Sequence, residues 1–232
     1  MSDNLISCEL KLSGFKDHFV MGLNLMERFS DSFRANIVVA VSDRSVEALQ
    51  TFVSKDCSFT IYGINGEKKT IFGMITEIYF RDTAGDRSLV ELVIEPKLAK
   101  ASFGRQRKIY QDKSAVEIVE AVLSQSGITL DKSKLTGSSA KREYCVQYDE
   151  SDLNFVKRLM ASEGIGYFFS HSGSKSNLTL CNSKSAYVGK NNSASGPALS
   201  LGHFGGSGRS DETSFSSLEL EHTLALATVS VR

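Results

Sequence analysis

The chain has 232 residues, enough for one large domain or two smaller ones around a real buried core. Lysine plus arginine and aspartate plus glutamate are both 27, so the formal net charge is zero, which argues against a dedicated nucleic-acid binder with its basic excess. No apolar run approaches the roughly 20 residues that span a bilayer, and no charged-then-apolar signal opens the chain, so the sequence reads as soluble and made in the cytoplasm.

Residues 5–12 alternate loosely and end at the turn signal Ser13-Gly14. Residues 34–41, Arg-Ala-Asn-Ile-Val-Val-Ala-Val, form a β-branched run. Asp43 is placed to cap a short helical turn carrying Val46, Leu49 and Val53. Ser58 to Ile64 reads as a strand before Asn65-Gly66, a strong hairpin signal, and the return strand runs from Ile71 to Phe80. A second turn at Gly85-Asp86 leads into Ser88 to Glu95. Several short strands joined by tight turns favour a closed or nearly closed barrel, because closure removes unpaired edges.

Pro96 marks a boundary. Lys97, Lys100, Arg105, Arg107 and Lys108 surround Phe103, either as a phosphate contact or as a solvated segment between domains, and the second reading is preferred. Ile109-Tyr110-Gln111 precedes Ser114-Ala-Val-Glu117, a capping box in which serine and glutamate satisfy each other's helix-start donors. Ile118, Val119, Val122 and Leu123 then form an apolar stripe that Gly127 ends. Tyr144 to Tyr148 is extended, and Asp149-Glu150-Ser151-Asp152 turns into a helix with Leu153, Val156, Leu159 and Met160 on one face. Gly164 stands where a helix end needs a left-handed residue. Tyr167-Phe168-Phe169 begins a strand, Ser172-Gly173-Ser174 turns it, and Leu178-Thr179-Leu180 returns. Residues 189–217 are rich in glycine, serine and asparagine and read as a long loop without phosphate-loop spacing. Leu218 to Val231 looks like another strand pair.

A search for chemistry finds no convincing reactive centre. Cys8, Cys57, Cys145 and Cys181 are far apart, with no CxxC pair, and read as reduced, mostly buried thiols rather than as disulfides or metal ligands. His18, His171, His203 and His222 lie in unlike contexts. Cys145 with His171 could be imagined as a nucleophile and base, but a packed thiol in a strand is the simpler reading. Asp149, Glu150 and Asp152 lack the ligand alternation and glycine of a calcium loop; helix capping accounts for them. Tyr167-Phe168-Phe169 could stack bases but more often supplies packing. No cofactor or metal site is expected, and the chain is read as non-enzymatic.

In fixed order, Val146, Gln147, Tyr148, Glu150, Ser151, Asp152, Phe155, Arg158, Leu159, Glu163, Gly164, Ile165, Tyr167 and Phe169 closely resemble a run found in VgrG, the spike proteins of type VI secretion systems, and in related phage-tail hub proteins. Ile109-Tyr110-Gln111, Phe72-Gly73 and Pro96-Lys97-Leu98 resemble the family more weakly. The family's Phe-x-Gly has lost its middle residue here, and its tryptophan after the proline is missing. The resemblance implies an α+β, mostly β fold: an antiparallel barrel of the tail-hub or tail-tube type, with an α/β insertion carrying two short helices. It divides the chain into a barrel at 1–98, an insertion at 99–165 and a β-rich region at 166–232, which is an incomplete second barrel or the completion of the first. It implies structural roles for the matched residues and no catalytic one. It further implies a homotrimer in full-length members, with a fragment left monomeric or weakly associated. The other partners would be a hexameric tail tube and carried effectors. Nucleic acid is not expected as a partner, and the target membrane is met only during puncture. Secretion would go through the injection machine without a signal peptide. Alternatives are a phage baseplate hub, an envelope-acting hydrolase and a single-strand nucleic-acid-binding barrel.

Overall fold

The computed structural model describes residues 7–42, 46–62, 68–84 and 87–183, with the backbone of 200–201 and 214–215. Two compact units are separated by contacts, Met1–Ala186 and Tyr187–Arg232. The cap at Asp43, the turns at Asn65-Gly66 and Gly85-Asp86, and the Leu218–Val231 pair lie outside the described residues.

In the first unit, alternating residues build one antiparallel sheet from β1 (Ser7–Leu12), β2 (His18–Met26), β3 (Arg34–Val41), β4 (Asp56–Tyr62), β5 (Lys68–Ala84) and β6 (Arg87–Glu95). Their order is β1-β4-β5-β6-β3-β2. The end strands are consecutive in sequence and come together in space. His18 donates its Nε2–H to the Leu10 carbonyl at 3.2 Å across the join, so the sheet curls into a nearly closed barrel.

Period-two alternation fills the barrel. Ala35, Ile37, Val39 and Val41 of β3 point inward with Val90, Leu92 and Ile94 of β6, and all are buried. Outward positions carry cross-strand polar pairs: Asn36 donates to Glu91 at 2.5 Å, and Arg34 bridges Glu77 at 3.1 Å and Glu95 at 3.3 Å. Leu49, on the short helix α1 (Val46–Gln50), is buried in this core, and Phe52 packs edge-on against Phe15.

Strand β2 is one of the elements that the sequence reading left unmarked. Its outward side chains include exposed Phe19, Met21 and Met26, which hides the alternation, and a bulge between Val20 and Gly22 shifts its phase.

Beyond a 3₁₀ turn at Lys97–Ser102, a second core forms in the same unit. Its elements are β7 (Gln106–Ser114), α2 (Ala115–Ser124), β8 (Leu130–Lys134), β9 (Lys141–Glu150), α3 (Asp152–Ser162), β10 (Gly166–Ser172) and β11 (Lys175–Cys181). β7 and β9 pair as an antiparallel ribbon; β10, β11 and β8 make a second sheet in which β11–β8 is parallel. The expected capping box is present: Ser114 N donates to Glu117 Oε2 at 2.7 Å, and Glu117 N donates to Ser114 Oγ at 3.3 Å. Both helices end alike. Gly127 and Gly164 take positive φ, and the next residue, Ile128 or Ile165, returns its N–H to Leu123 or Met160. Tyr167, Leu178 and Leu180 share this core with α2 and α3.

The second unit contains two-residue strands, β12 (Ser200–Leu201) and β13 (Ser214–Phe215), paired in parallel within the segment expected to be a loop.

Gly73 on β5 is fixed by close approach. A Cβ there would stand 2.7 Å from Ile94 Cγ2, 2.8 Å from the Glu95 carbonyl and 3.3 Å from Phe33 Cζ. The backbone carbonyl cannot yield cheaply. Gly73→Ala is expected to cost about 1–3 kcal/mol, read as a lower urea midpoint at an unchanged slope.

Candidate functional site

The matched run from Val146 to Phe169 folds into one braced unit, β9–α3–β10. Asp149 takes a positive φ of 52°, which turns the chain out of β9. Ser151 caps α3 by accepting the Asn154 N–H at 3.2 Å. Gln147 is fully buried and reaches across the turn, donating Nε2–H to Asp152 Oδ1 at 2.7 Å and to the Glu150 carbonyl at 3.3 Å. Arg158, two turns into the helix, comes back to Glu150 at 2.5 Å and to the Val146 carbonyl at 3.2 Å. The Glu150 hydrogen bond raises the Arg158 pKa further. Phe155 and Leu159 are buried, and Phe155 stacks on Tyr110 with centroids 5.7 Å apart. At the far end Glu163 accepts from Arg142 at 2.6 Å and from Ser139 at 2.8 Å, and these bonds hold its carboxyl below the usual value.

The same unit is stitched to the barrel. Ser30 donates its N–H to the Tyr167 carbonyl at 2.8 Å, and Lys157 donates to Asp31 at 2.8 Å. Phe169 meets Phe33 edge-on at 5.5 Å, and Phe72 N donates to His171 Nδ1 at 3.2 Å. Tyr167 is buried, and burial pushes its phenol pKa up. Ser30, Asp31, Ser139 and Arg142 were not singled out from sequence. They carry no local pattern, and only the fold brings Ser30 to Tyr167.

Two apolar faces stay uncovered among the described residues. One is the outer side of β2, with Phe19 and Met21. The other is the outer side of the β7–β9 ribbon, where the register sets Arg107 opposite Tyr148, Ile109 opposite Val146 and Gln111 opposite Tyr144. Tyr148 is 72% exposed and Ile109 59%, and the Arg107 guanidinium lies 5.3 Å from the Tyr148 ring centroid. A continuous apolar patch of this kind marks interaction surfaces.

The imagined reactive groups are otherwise occupied. Cys145 is buried in β9, while His171 packs between Phe33 and Phe72. Asp149 pairs with Arg105 and Arg107, Glu150 with Arg158, and Asp152 with Gln147. Among the described residues no group of three His, Cys, Asp or Glu side chains is placed to hold a metal ion. No helix there is long and apolar enough to cross a membrane.

A nearly closed barrel bearing an α/β body is the fold of phage-tail hub proteins. Residues 26–232 match the phage tail baseplate hub (GPD) family, and the chain belongs to it. It is 30% identical over 186 residues to the type VI secretion system spike protein VgrG3 of Vibrio cholerae, a match covering 75% of this chain and 18% of that protein. Against the spike protein VgrG4b of Pseudomonas aeruginosa identity is 43% over 83 residues, covering 35% of this chain and 10% of that one. The chain thus spans less than a fifth of the length of these curated relatives. Among solved structures it is similar to the Escherichia coli c3393 protein, a component of the type VI secretion system, with a TM-score of 0.68 and 24% identity over 84% of this chain and 52% of that one. The Francisella PdpA–VgrG complex gives 0.55 at 11% identity, over 77% of this chain and 31% of that one. VgrG3 and VgrG4b are both type VI spike proteins.

A carboxylate held low in the folded state stabilises it above the unfolded pKa, and that contribution disappears as pH falls through the folded value. Glu163, with an ordinary value of 4.5, is such a group, as is Asp31 beside Lys157. Stability is expected to decline as pH drops below about 4.5. Glu163→Gln is expected to lower the urea midpoint at pH 7 and to flatten that decline.

Proposed function

We propose that this chain is a structural component of the hub at the tip of a contractile injection machine of the type VI kind. It seats on a hexameric tail tube and helps to deliver effectors. The observation that carries the reading is the barrel with its braced β9–α3–β10 unit, in a chain whose family is that of tail baseplate hubs. Its work is mechanical: the braces fix shape, and the uncovered faces of β2 and of the β7–β9 ribbon make contacts with other copies and with the tube. The matched residues Val146 to Phe169 act in this reading as framework, with no part in bond-breaking. A division into barrel 1–98, insertion 99–165 and a β-rich region 166–232 belongs to the same proposal, as does export through the machine without a signal peptide. The family description also favours a second reading, a baseplate hub of a phage tail, with the same assembly role.

Ring closure by copies of one chain requires head-to-tail contacts that repeat by rotation. Sedimentation velocity at rising protein concentration, with and without tail-tube hexamers, tests it. The expected result is concentration-dependent association in threes and co-sedimentation with the tube. Ile109→Asp with Tyr148→Ser, both exposed, is expected to weaken association by about tenfold or more while leaving the circular dichroism spectrum unchanged. A chain that stays monomeric at every concentration and ignores the tube would sink the proposal.

A further inference from the structure

The β10–β11 hairpin lies against β5, and there the contact between barrel and α/β body turns on one imidazole. β6 pairs with β5 only from Met74 onward, and the Phe72 N–H, just beyond the end of that ladder, takes a side chain as its acceptor. That acceptor is Nδ1 of His171 on β10, at 3.2 Å. The same ring stands edge-on to Phe33, with centroids 5.5 Å apart, and tilted to Phe72 at 6.4 Å. The mechanical reading gives this histidine no task beyond packing.

A ring nitrogen that accepts a hydrogen bond carries no proton, so the single proton of the neutral ring sits on Nε2. Nε2 is buried without a partner, and Ser176 Oγ, on the residue paired with His171 across the hairpin, makes no bond to it. A second proton has one place to go. On Nδ1 it would meet the Phe72 N–H donor to donor, and the charged ring would hold two N–H groups with no acceptor, each at a cost. The surrounding charges offer no remedy. Glu27, at the end of β2, and Lys69 on β5 act on the ring in opposite senses and pair with each other. On the segment that carries Phe33, Arg28 and Asp31 complete the charges, and Asp31 is held by Lys157. β10 has no charged side chain, and β11 has only Lys175. Burial accordingly lowers the imidazole pKa from its ordinary 6.5.

We propose that the His171–Phe72 contact is a proton-released latch between the two bodies: the neutral ring holds β10 to β5, and the imidazolium lets them part there. Release has a defined window. A base kept more neutral in the folded state than in the unfolded chain stabilises the closed joint above the unfolded value of 6.5, and that contribution is lost as pH falls below 6.5 through the folded value. The Lys157–Asp31 pair rests on a carboxylate whose pKa its lysine hydrogen bond lowers from 3.8, so it lets go only below 3.8. Acid therefore opens the joint from the hairpin side first. The latch stands independently of the assembly reading, because every residue in it comes from one copy.

The test is nuclear magnetic resonance on the full 232-residue chain, from about pH 7.5 to about pH 5. Long-range proton–nitrogen spectra read the tautomer and the charging of the His171 ring. Hydrogen exchange reads the protection of the Phe72 amide relative to an unstructured peptide at the same pH. The ring is expected to carry its proton on Nε2 at the upper pH and to charge below 6.5. Phe72 is expected to lose protection by about tenfold over the same range, while Val90 and Leu92 in the β5–β6 ladder keep theirs. In His171→Asn, which has no titratable ring, the pH dependence at Phe72 is expected to vanish, whatever protection it starts from. Should that variant fail to fold, the titration of the unaltered chain decides the matter alone. A ring that charges at or above pH 6.5, or Phe72 protection that stays level while the ring charges, would overturn the proposal. So would a His171→Asn chain that loses Phe72 protection with falling pH as the unaltered chain does.

Discussion

The Tyr167 carbonyl accepts the Ser30 N–H at 2.8 Å, and around that bond the barrel and the α/β body are locked together. On either side of it sit a charge pair, Lys157 with Asp31, and an aromatic joint, Phe169 against Phe33. Phe169 packs against both hydrophobic cores. Beside the joint, a Cβ at position 73 would press chiefly on Ile94 and the Glu95 carbonyl and, at 3.3 Å, on Phe33 Cζ, so glycine keeps β5 close to β6 there.

The braced unit explains why so many residue types must recur together in the matched run. A strand that turns sharply into a helix leaves backbone donors and acceptors exposed at the turn. Gln147 and Ser151 satisfy them from one end, with Asp152 accepting from the Gln147 amide, and Arg158 donates to the Val146 carbonyl from the helix face. Removing the Asp152 carboxylate would leave the buried Gln147 amide short of a partner, which costs more than the bond itself contributes. These hydrogen bonds fix the turn and the helix start, and no reaction has to be invoked to account for them.

Local pattern made most of this legible. A β-branched run marked β3, alternation marked β4, a turn signal led into β6, and the capping box and glycine stops bounded α2 and α3. Strand β2 escaped because its outward face is as apolar as its inward face, which erases the contrast on which periodicity depends. The loop-like polar segment Leu130–Lys134 escaped for the opposite reason: β8 carries one buried apolar residue and takes its place by pairing with β11. The seam was illegible in principle. Ser30 and Tyr167 are separated by more than half the chain, and neither sits in a motif that names the other.

The charge balance has a structural counterpart. The basic stretch after Pro96, which composition alone leaves open to a phosphate reading, is largely consumed within the fold: Lys97 pairs with Asp56, Arg105 and Arg107 converge on Asp149, and Lys108 donates to Gln125. Outside the barrel, Arg34 and Arg81 are spent on Glu77, Glu91 and Glu95 in the same way. Charges satisfied internally cannot also steer a distant partner, since each opposite neighbour cancels the field beyond a Debye length. Exposed apolar side chains stand beside these paired charges, Ile109 and Tyr148 on the ribbon and Phe19 and Met21 on β2. In the proposed hub, contacts made by such surfaces would depend on fit over a wide area, as a part transmitting mechanical load requires.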